Sequence, residues 1–201
     1  MGRPLGPALV IPAAGASSRL GECKALVDLG GRTPLELLLE AGAALAPPPP
    51  LVLAGADLEA LRAALPPGAE LLHNPRWSEG RSGGLALAAA ARPGLDLFIA
   101  PVDTPLVPAE VFSALLEVWE SAGRPARGWL SPRHQGRHGH PLLLGRDLAR
   151  ELAGWPPARS LRELRRRAEP IWALETPCTA VLDDLDEPAD LEALRRRIRG
   201  G

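Results

Sequence analysis

Between Ala8 and Leu72 short apolar runs alternate with helix-type patterns, and that alternation confines the chain to a parallel sheet joined by crossover helices. Ala8 to Ile11, Leu51 to Ala54 and Glu70 to Leu72 read as buried strands. Thr33, Pro34 and Glu36 supply an N-cap, a first-turn proline and a capping-box glutamate. Leu35, Leu38, Leu39 and Leu45 then fall largely on one face, predicting a helix to about Leu45, which Pro47 to Pro50 stop as a stiff connector. Asp57 caps a second helix through Leu65, closed by Pro66-Pro67-Gly68.

The first of these strands empties into Ala13, Ala14, Gly15, Ala16, Ser17 and Ser18, with Arg19, Gly21 and Lys24 following. Small side chains leave backbone N–H groups open to an anion, and two cations at fixed spacing add charge. Lys24 is the only lysine, in a chain that uses arginine at every other basic position except histidine. A compact ammonium, not a planar fork, is wanted there. The stretch reads as a phosphate-binding loop; the competing reading is an ordinary turn in an alanine-rich and glycine-rich chain. It is not a Walker loop, because Glu22 follows Gly21, and not a G-x-G-x-x-G fingerprint, because Ser17 stands at the second glycine position. Cys23 is read as a small buried filler.

At 201 residues with 46% apolar content, one α/β domain spanning 1–201 is expected. A net charge of −1 argues against a general nucleic-acid or membrane-surface binder, and no apolar run is long enough to cross a bilayer. Two cysteines make no disulfide framework, which favours a reducing cytoplasm. Arg3 before an apolar run suggests a leader, but Pro7 and Pro12 interrupt it and cleavage after Ala16 would sever strand from loop, so none is expected.

Downstream, Ala25 to Leu29 reads as a short extended piece turned by Gly30-Gly31. The polar loop from His73 to Leu85 carries Asn74, the only asparagine, with Trp77, Arg81 and Ser82, and feeds a helix from about Gly83 to Ala91. It emerges at the carboxyl edge of the sheet, where Asn74 and Ser82 are candidates to hold a base or ribose; Trp77 reads most simply as packing and Arg81 as a solvated charge. The strand Leu95 to Ala100 ends in Asp103, placed to hold Mg²⁺ against phosphates or, alternatively, to cap a turn.

A helix over Pro108 to Ala122, a strand pair within Gly128 to Gly145, helices over Arg146 to Ala153 and Ala158 to Arg167, strands at Ile171 to Leu174 and Ala180 to Leu182, and a last helix from Pro188 complete the pattern. Among His134, His138 and His140, Gly136 and Gly139 break any common helix and no cysteine is near, which argues against structural zinc; His140 is a candidate to touch substrate. Asp184 and Asp186 point to one side of an extended chain, as metal ligands would, although Asp186 or Glu187 also suits a helix cap.

The loop Ala13 to Gly21 with Lys24 resembles the signature of the MobA-like NTP transferases, in particular the molybdenum cofactor cytidylyltransferase branch. Asn74-Pro75 with Trp77 and Gly80, Asp103-x-Pro105-Leu106, Gly139-His140-Pro141, and Asp184-x-Asp186-x-Pro188 with Asp190 agree in order, from about Ala8 to Leu194. The chain departs from the family at Gly83-Gly84, where serine is usual, and at Gly154-Trp155-Pro156-Pro157-Ala158-Arg159, which lacks the branch's aspartate; both lie toward the acceptor side.

The resemblance implies a Rossmann-like domain of nucleotide-diphospho-sugar-transferase type, with a mainly parallel mixed sheet and helices on both faces. It implies Mg²⁺-dependent transfer of NMP from an NTP, CTP favoured, to a phosphorylated small-molecule acceptor such as molybdopterin, releasing pyrophosphate. A molybdoenzyme or its chaperone is the implied protein partner. By that likeness the loop backbone and Arg19 hold the triphosphate, Lys24 stabilises charge at the α-phosphate, and Asp103 with Asp184 or Asp186 binds the metal. The alternatives are a sugar-phosphate or phospho-acid nucleotidyltransferase and a non-catalytic nucleotide-binding regulator; the missing dinucleotide fingerprint disfavours an oxidoreductase.

Overall fold

The computed structural model describes residues 5–45 and 48–200. Pro47, and the ends of the expected 1–201 span, lie outside the described residues. The first strand, β1 (Ala8–Ala13), alternates its side chains cleanly: Leu9 and Ile11 enter one apolar cluster, Ala8 and Val10 the other. Both faces of the sheet are therefore covered, as a parallel sheet requires.

Helix α1 (Pro34–Ala41) starts as expected, with Thr33 and Glu36 forming a reciprocal capping box. It ends at Ala41 and not Leu45, because Gly42 caps it; a Cβ there would fall 2.4 Å from Leu9 Cδ2. β2 (Leu51–Ala54), α2 (Leu58–Ala64) and β3 (Glu70–His73) follow, and α3 (Arg81–Ala91) leads to β4 (Leu97–Ile99). Next come α4 (Ala109–Ser121) and three strands where the sequence suggested a pair: β5 (Trp129–His134), β6 (Arg137–His138) and β7 (Leu142–Leu144). α5 (Arg146–Ala153), α6 (Leu161–Arg165), β8 (Ile171–Glu175) and α7 (Pro188–Gly200) complete the chain.

One mixed, mostly parallel sheet runs in the order β3-β2-β1-β4-β7-β5-β6, with β8 also paired to β5. The β1–β2, β2–β3, β1–β4 and β5–β8 pairs are parallel, whereas β7 runs against both β4 and β5. Leu35, Leu38, Leu61, Val111, Phe112, Leu115 and Trp119 bring α1, α2 and α4 onto one face. Leu85, Ala88, Leu148, Leu152 and Leu164 bring α3, α5 and α6 onto the other. A third cluster, with Leu20, Val27, Leu29, Leu185, Leu191 and Leu194, seats α7 against the first loop.

Two expected strands are tight turns instead. Residues Lys24–Leu26 form a 3₁₀ turn, with the Leu26 N–H on the Cys23 carbonyl at 2.9 Å. Thr179–Leu182 does the same, and its Val181 carbonyl accepts from the His140 N–H at 2.9 Å instead of joining a ladder.

At the pole opposite the first loop, Asp96 is 1% exposed. It accepts from Trp119 Nε1, Arg124 Nε and the Arg146 N–H, each at 3.0 Å, and so joins the start of β4 to α4 and α5. Removing that carboxylate leaves two neutral donors short of a partner and strips the half-buried Arg124 guanidinium of its ion pair, leaving it the Leu5 carbonyl. Asp96→Ala is expected to lower the unfolding free energy by about 3 kcal/mol, read from urea titration, with less loss in Asp96→Asn.

Candidate functional site

The carboxyl ends of β1, β2, β4 and the loop before β7 surround a pocket of about 390 Å³. Pro12, Ala13, Ala14, Gly15, Ser17, Ser18, Arg19 and Lys24 form one wall; Asp103, His140 and Asp186 close another; Asn74, Trp77, Gly80, Arg81 and Gly84 form the third. The topology explains the convergence, since the chain reverses around β1 and β4 and leaves a crevice where the crossovers diverge.

Within the loop, Ser17 adopts φ +49° and Gly21 φ +83°, which folds the chain tightly. The Ser17 carbonyl accepts from the Leu20 and Gly21 N–H groups, both at 3.0 Å, and its hydroxyl accepts from the Lys24 N–H at 3.1 Å. Among the described residues, the N–H groups of Gly15, Ala16, Ser17 and Ser18 have no hydrogen-bond acceptor. A run of free amides beside two cations is the chemistry of an anion cradle. Gly55, which the sequence reading passed over, keeps this loop in place: a Cβ there would lie 2.2 Å from the Ala14 carbonyl oxygen and 2.6 Å from Trp77 Cβ.

Lys24 Nζ lies 2.7 Å from Asp103 Oδ1 and 2.7 Å from Asp186 Oδ1. Arg19 pairs with Asp186 and, at 3.4 Å, with Glu187. Burial works against the Lys24 ammonium, yet its bonds to Asp103 and Asp186 hold its pKa above the ordinary lysine value. The Lys24 bond, opposed by burial and aided by Arg19, holds Asp186 below the usual aspartate range. Burial and the nearby negative charges of Asp186 and Asp103 push Asp184 up.

Asp186 does not cap α7. Asp190 does that work, accepting from the Asp186 and Glu187 N–H groups at 3.0 and 2.8 Å and leaving the Asp186 carboxylate to face the loop. The Leu185 N–H donates to the Asp103 carbonyl at 3.0 Å, binding the two acidic segments side by side. The His140 backbone is pinned to Val181, and Gly139 permits the approach: a Cβ there would lie 2.1 Å from the Val181 oxygen. Its buried ring Nδ1 has no partner among the described residues, and burial pushes its pKa down.

Several expected residues sit elsewhere. Ser82 is buried, but its hydroxyl donates to the Arg159 carbonyl at 2.6 Å and does not line the pocket, because the Pro157–Arg159 segment packs directly onto the start of α3. Ala16 and Gly21 lie outside the lining, at the exposed loop tip and its closing turn, and Asp184 lies beside the pocket, not in its wall. Trp77 and Arg81, read as packing and a solvated charge, both line it. Half-buried Cys23 has its thiol pushed up to about 11, by burial and then by Asp57, in keeping with an inert filler.

The profile of the MobA-like NTP transferase domain matches residues 9–171. The chain belongs to that family. Its activity class is therefore nucleotidyl transfer from an NTP. No curated protein gives a significant match.

Among solved structures the same fold recurs widely, three examples being these. Rv0371c of Mycobacterium tuberculosis H37Rv in complex with manganese has a TM-score of 0.74 and 21% identity, over 95% of this chain and 98% of that one. Molybdopterin-guanine dinucleotide biosynthesis protein A of Archaeoglobus fulgidus has 0.74 and 18%, over 96% and 100%. The 2-C-methyl-D-erythritol 4-phosphate cytidylyltransferase of Thermus thermophilus has 0.70 and 20%, over 97% and 100%.

In this MobA-like site the depressed pKa of Asp186 sets a pH dependence. An acid whose folded pKa lies below its unfolded value stabilises the fold above the ordinary aspartate value, near 3.9, and that contribution is lost as pH falls through the folded pKa. Urea midpoints measured from pH 5 downward are expected to fall less steeply in Asp186→Asn than in the parent.

Proposed function

We propose that the chain is a cytidylyltransferase that moves CMP from CTP to a phosphorylated acceptor of molybdopterin type. The observation that carries the reading is the meeting of Lys24, Asp103 and Asp186 at the mouth of a loop whose amides are free. An acceptor phosphate oxygen attacks the α-phosphorus, the α–β phosphoanhydride bond breaks, and pyrophosphate leaves. Little covalent work falls to the protein; alignment and charge neutralisation carry the rate.

The roles follow from position. The free N–H groups of Gly15 to Ser18 receive the triphosphate, with Arg19 at the outer end. Lys24 turns its ammonium from the carboxylates to the α-phosphate, where negative charge builds. His140 sits across the pocket from the loop and faces the acceptor. The donors also suit a divalent cation: Asp103 and Asp186 converge from two elements, and hard oxygen ligands of this kind hold Mg²⁺ or Mn²⁺ with phosphates completing the shell. Among the described residues no three acidic, histidine or cysteine side chains converge as a metal cage, which fits a cation held partly by substrate. When bound, such a cation supplies charge neutralisation at the phosphates. The manganese complex of Rv0371c supports a divalent cation here, and Asp186 is the better placed of the two candidate partners for Asp103.

Cytidylyl transfer is supported by the likeness to the Thermus thermophilus cytidylyltransferase and by the Ala13-Ala14-Gly15 form of the loop; the molybdopterin acceptor, by the likeness to the Archaeoglobus fulgidus protein. The product would pass to a molybdoenzyme or its chaperone. Among the described residues no helix is long and apolar enough to cross a membrane, and the two free cysteines suit a cytoplasmic setting.

Pyrophosphate release with Mg²⁺ and each of CTP, GTP, ATP and UTP, with and without molybdopterin, tests the reading. Release is expected to require the acceptor and prefer CTP. Lys24→Ala is expected to lose about a hundredfold or more in turnover while melting within a few degrees of the parent. Turnover unchanged in that variant would remove Lys24 from the mechanism.

A further inference from the structure

We infer that His140 serves the acceptor as a neutral hydrogen-bond donor, through Nε2–H, and not as its general base, so that the attacking oxygen arrives already ionised. The inference rests on the nucleotidyltransferase reading above and deepens it by naming the form of the acceptor's nucleophile. His140 stands in the loop between β6 and β7 and lines the pocket together with Asp103. Its N–H bonds to the Val181 carbonyl at 2.9 Å, a backbone contact that survives replacement of the ring.

The two ring nitrogens meet different surroundings. Nδ1 is buried and has no partner among the described residues. Nε2 makes no hydrogen bond there either, yet it is not among the buried atoms left without one. It is therefore the accessible nitrogen, on a ring that lines the pocket. A buried N–H without an acceptor is rare in a folded chain. The single proton of the neutral ring accordingly belongs on Nε2, facing the pocket, a tautomer assigned from this bonding pattern. The same observation argues against an imidazolium, which would carry an orphaned N–H at Nδ1. Burial also pushes the ring's pKa down; the Asp103 charge opposes this and Arg81 adds to it.

A base takes a proton through an open lone pair, and the bare lone pair of this ring faces a closed wall. The other titratable groups lining the pocket do not fill the role. Arg19, Lys24 and Arg81 are cations, and both carboxylates, Asp103 and Asp186, are bonded to Lys24. A hydroxyl acceptor would need a base here, whereas a phosphate monoester, with its second pKa at about 6, brings its own oxyanion at neutral pH. One acceptor oxygen then bonds the α-phosphorus, the α–β phosphoanhydride bond breaks with its electron pair leaving on pyrophosphate, and no proton changes hands. Nε2–H holds a neighbouring oxygen of the same acceptor phosphate and orients the attack.

Long-range ¹H–¹⁵N spectra of the full chain, labelled at histidine, read the ring's form without any substrate; the His140 signals are assigned by their absence in His140→Gln. At neutral pH Nδ1 is expected bare and Nε2 protonated. A proton on Nδ1 overturns the inference and leaves the nucleotidyltransferase reading intact. Turnover with molybdopterin, CTP and Mg²⁺ reads the role. The glutamine amide donates from near the Nε2 position but takes up no proton. His140→Gln is therefore expected to hold kcat within about tenfold of the parent, while His140→Ala raises the acceptor KM about tenfold or more and leaves the KM for CTP unchanged. Loss of a general base would cost about 10²–10⁴-fold in kcat in both variants, and that result overturns the inference. So does a parent that transfers CMP to a hydroxyl compound such as glycerol in preference to molybdopterin. A parent that releases no pyrophosphate from any NTP overturns the inference and the nucleotidyltransferase reading together.

Discussion

The structure of the site turns on one ammonium. Lys24 Nζ touches Asp103 from the turn after β4 and Asp186 from the segment before α7, and its own backbone N–H is held by the Ser17 hydroxyl. Three stretches far apart in sequence are thereby drawn to one point, and the third apolar cluster, from Leu20 to Leu194, packs behind it. Two carboxylates brought to one point repel each other unless a cation stands between them or one takes up a proton, and here the Lys24 ammonium stands between them. A lysine can serve, and can then leave, because its charge rides on a flexible four-carbon stem; a guanidinium locked in a planar fork would be harder to exchange. This gives a physical reason for the single lysine in an arginine-rich chain.

Close backbone approach holds the rest of the pocket. Gly55 lets the Ala14 carbonyl and Trp77 meet over the end of β2, and Gly139 lets the Val181 carbonyl take the His140 N–H. Gly80 and Gly83 both pack against Pro157, and Ser82 bonds to Arg159 between them. The two places where the chain departs from its family's usual pattern, Gly83-Gly84 and the Gly154–Arg159 stretch, are therefore one place in the fold. Gly83 packs on the Pro157 ring, where a Cβ would stand 3.1 Å from the ring's Cβ and press the two segments apart by a few tenths of an ångström.

What was legible in the sequence followed from local rules. β2 and α5 match their expected bounds, and the Thr33–Glu36 capping box is present as read. The loop Ala13 to Lys24 reads as an anion cradle from its small residues and charge spacing, and in the structure the amides of Gly15 to Ser18 are without acceptors among the described residues. What was not legible depended on tertiary partners. The Thr179–Leu182 turn reads as a strand until one knows that Val181 bonds to His140. Ser82 looks like a ligand group until Arg159, distant in sequence, takes its hydroxyl. Asp186 could be called a cap until Asp190 is seen to satisfy both orphan N–H groups. Gly55 and Asp96 gave no signal at all, since neither a close approach nor a buried three-way acceptor leaves a local pattern.

Asp96 and Lys24 mark the two poles of β4, and they solve opposite problems. Asp96 is a buried anion saturated by donors from Trp119, Arg124 and Arg146, with nothing left to exchange. At the other end the charges are partly open to solvent, and the amides of Gly15 to Ser18 are left free. A sheet gains rigidity from the first arrangement and binding capacity from the second. Satisfying every polar group at the carboxyl edge would stabilise the chain and remove its site; leaving groups unsatisfied at the other edge would cost stability and bind nothing. The division is the one expected of a parallel sheet whose helix crossovers diverge only at the carboxyl ends of its strands, the one edge where unpaired donors can face a ligand instead of the core.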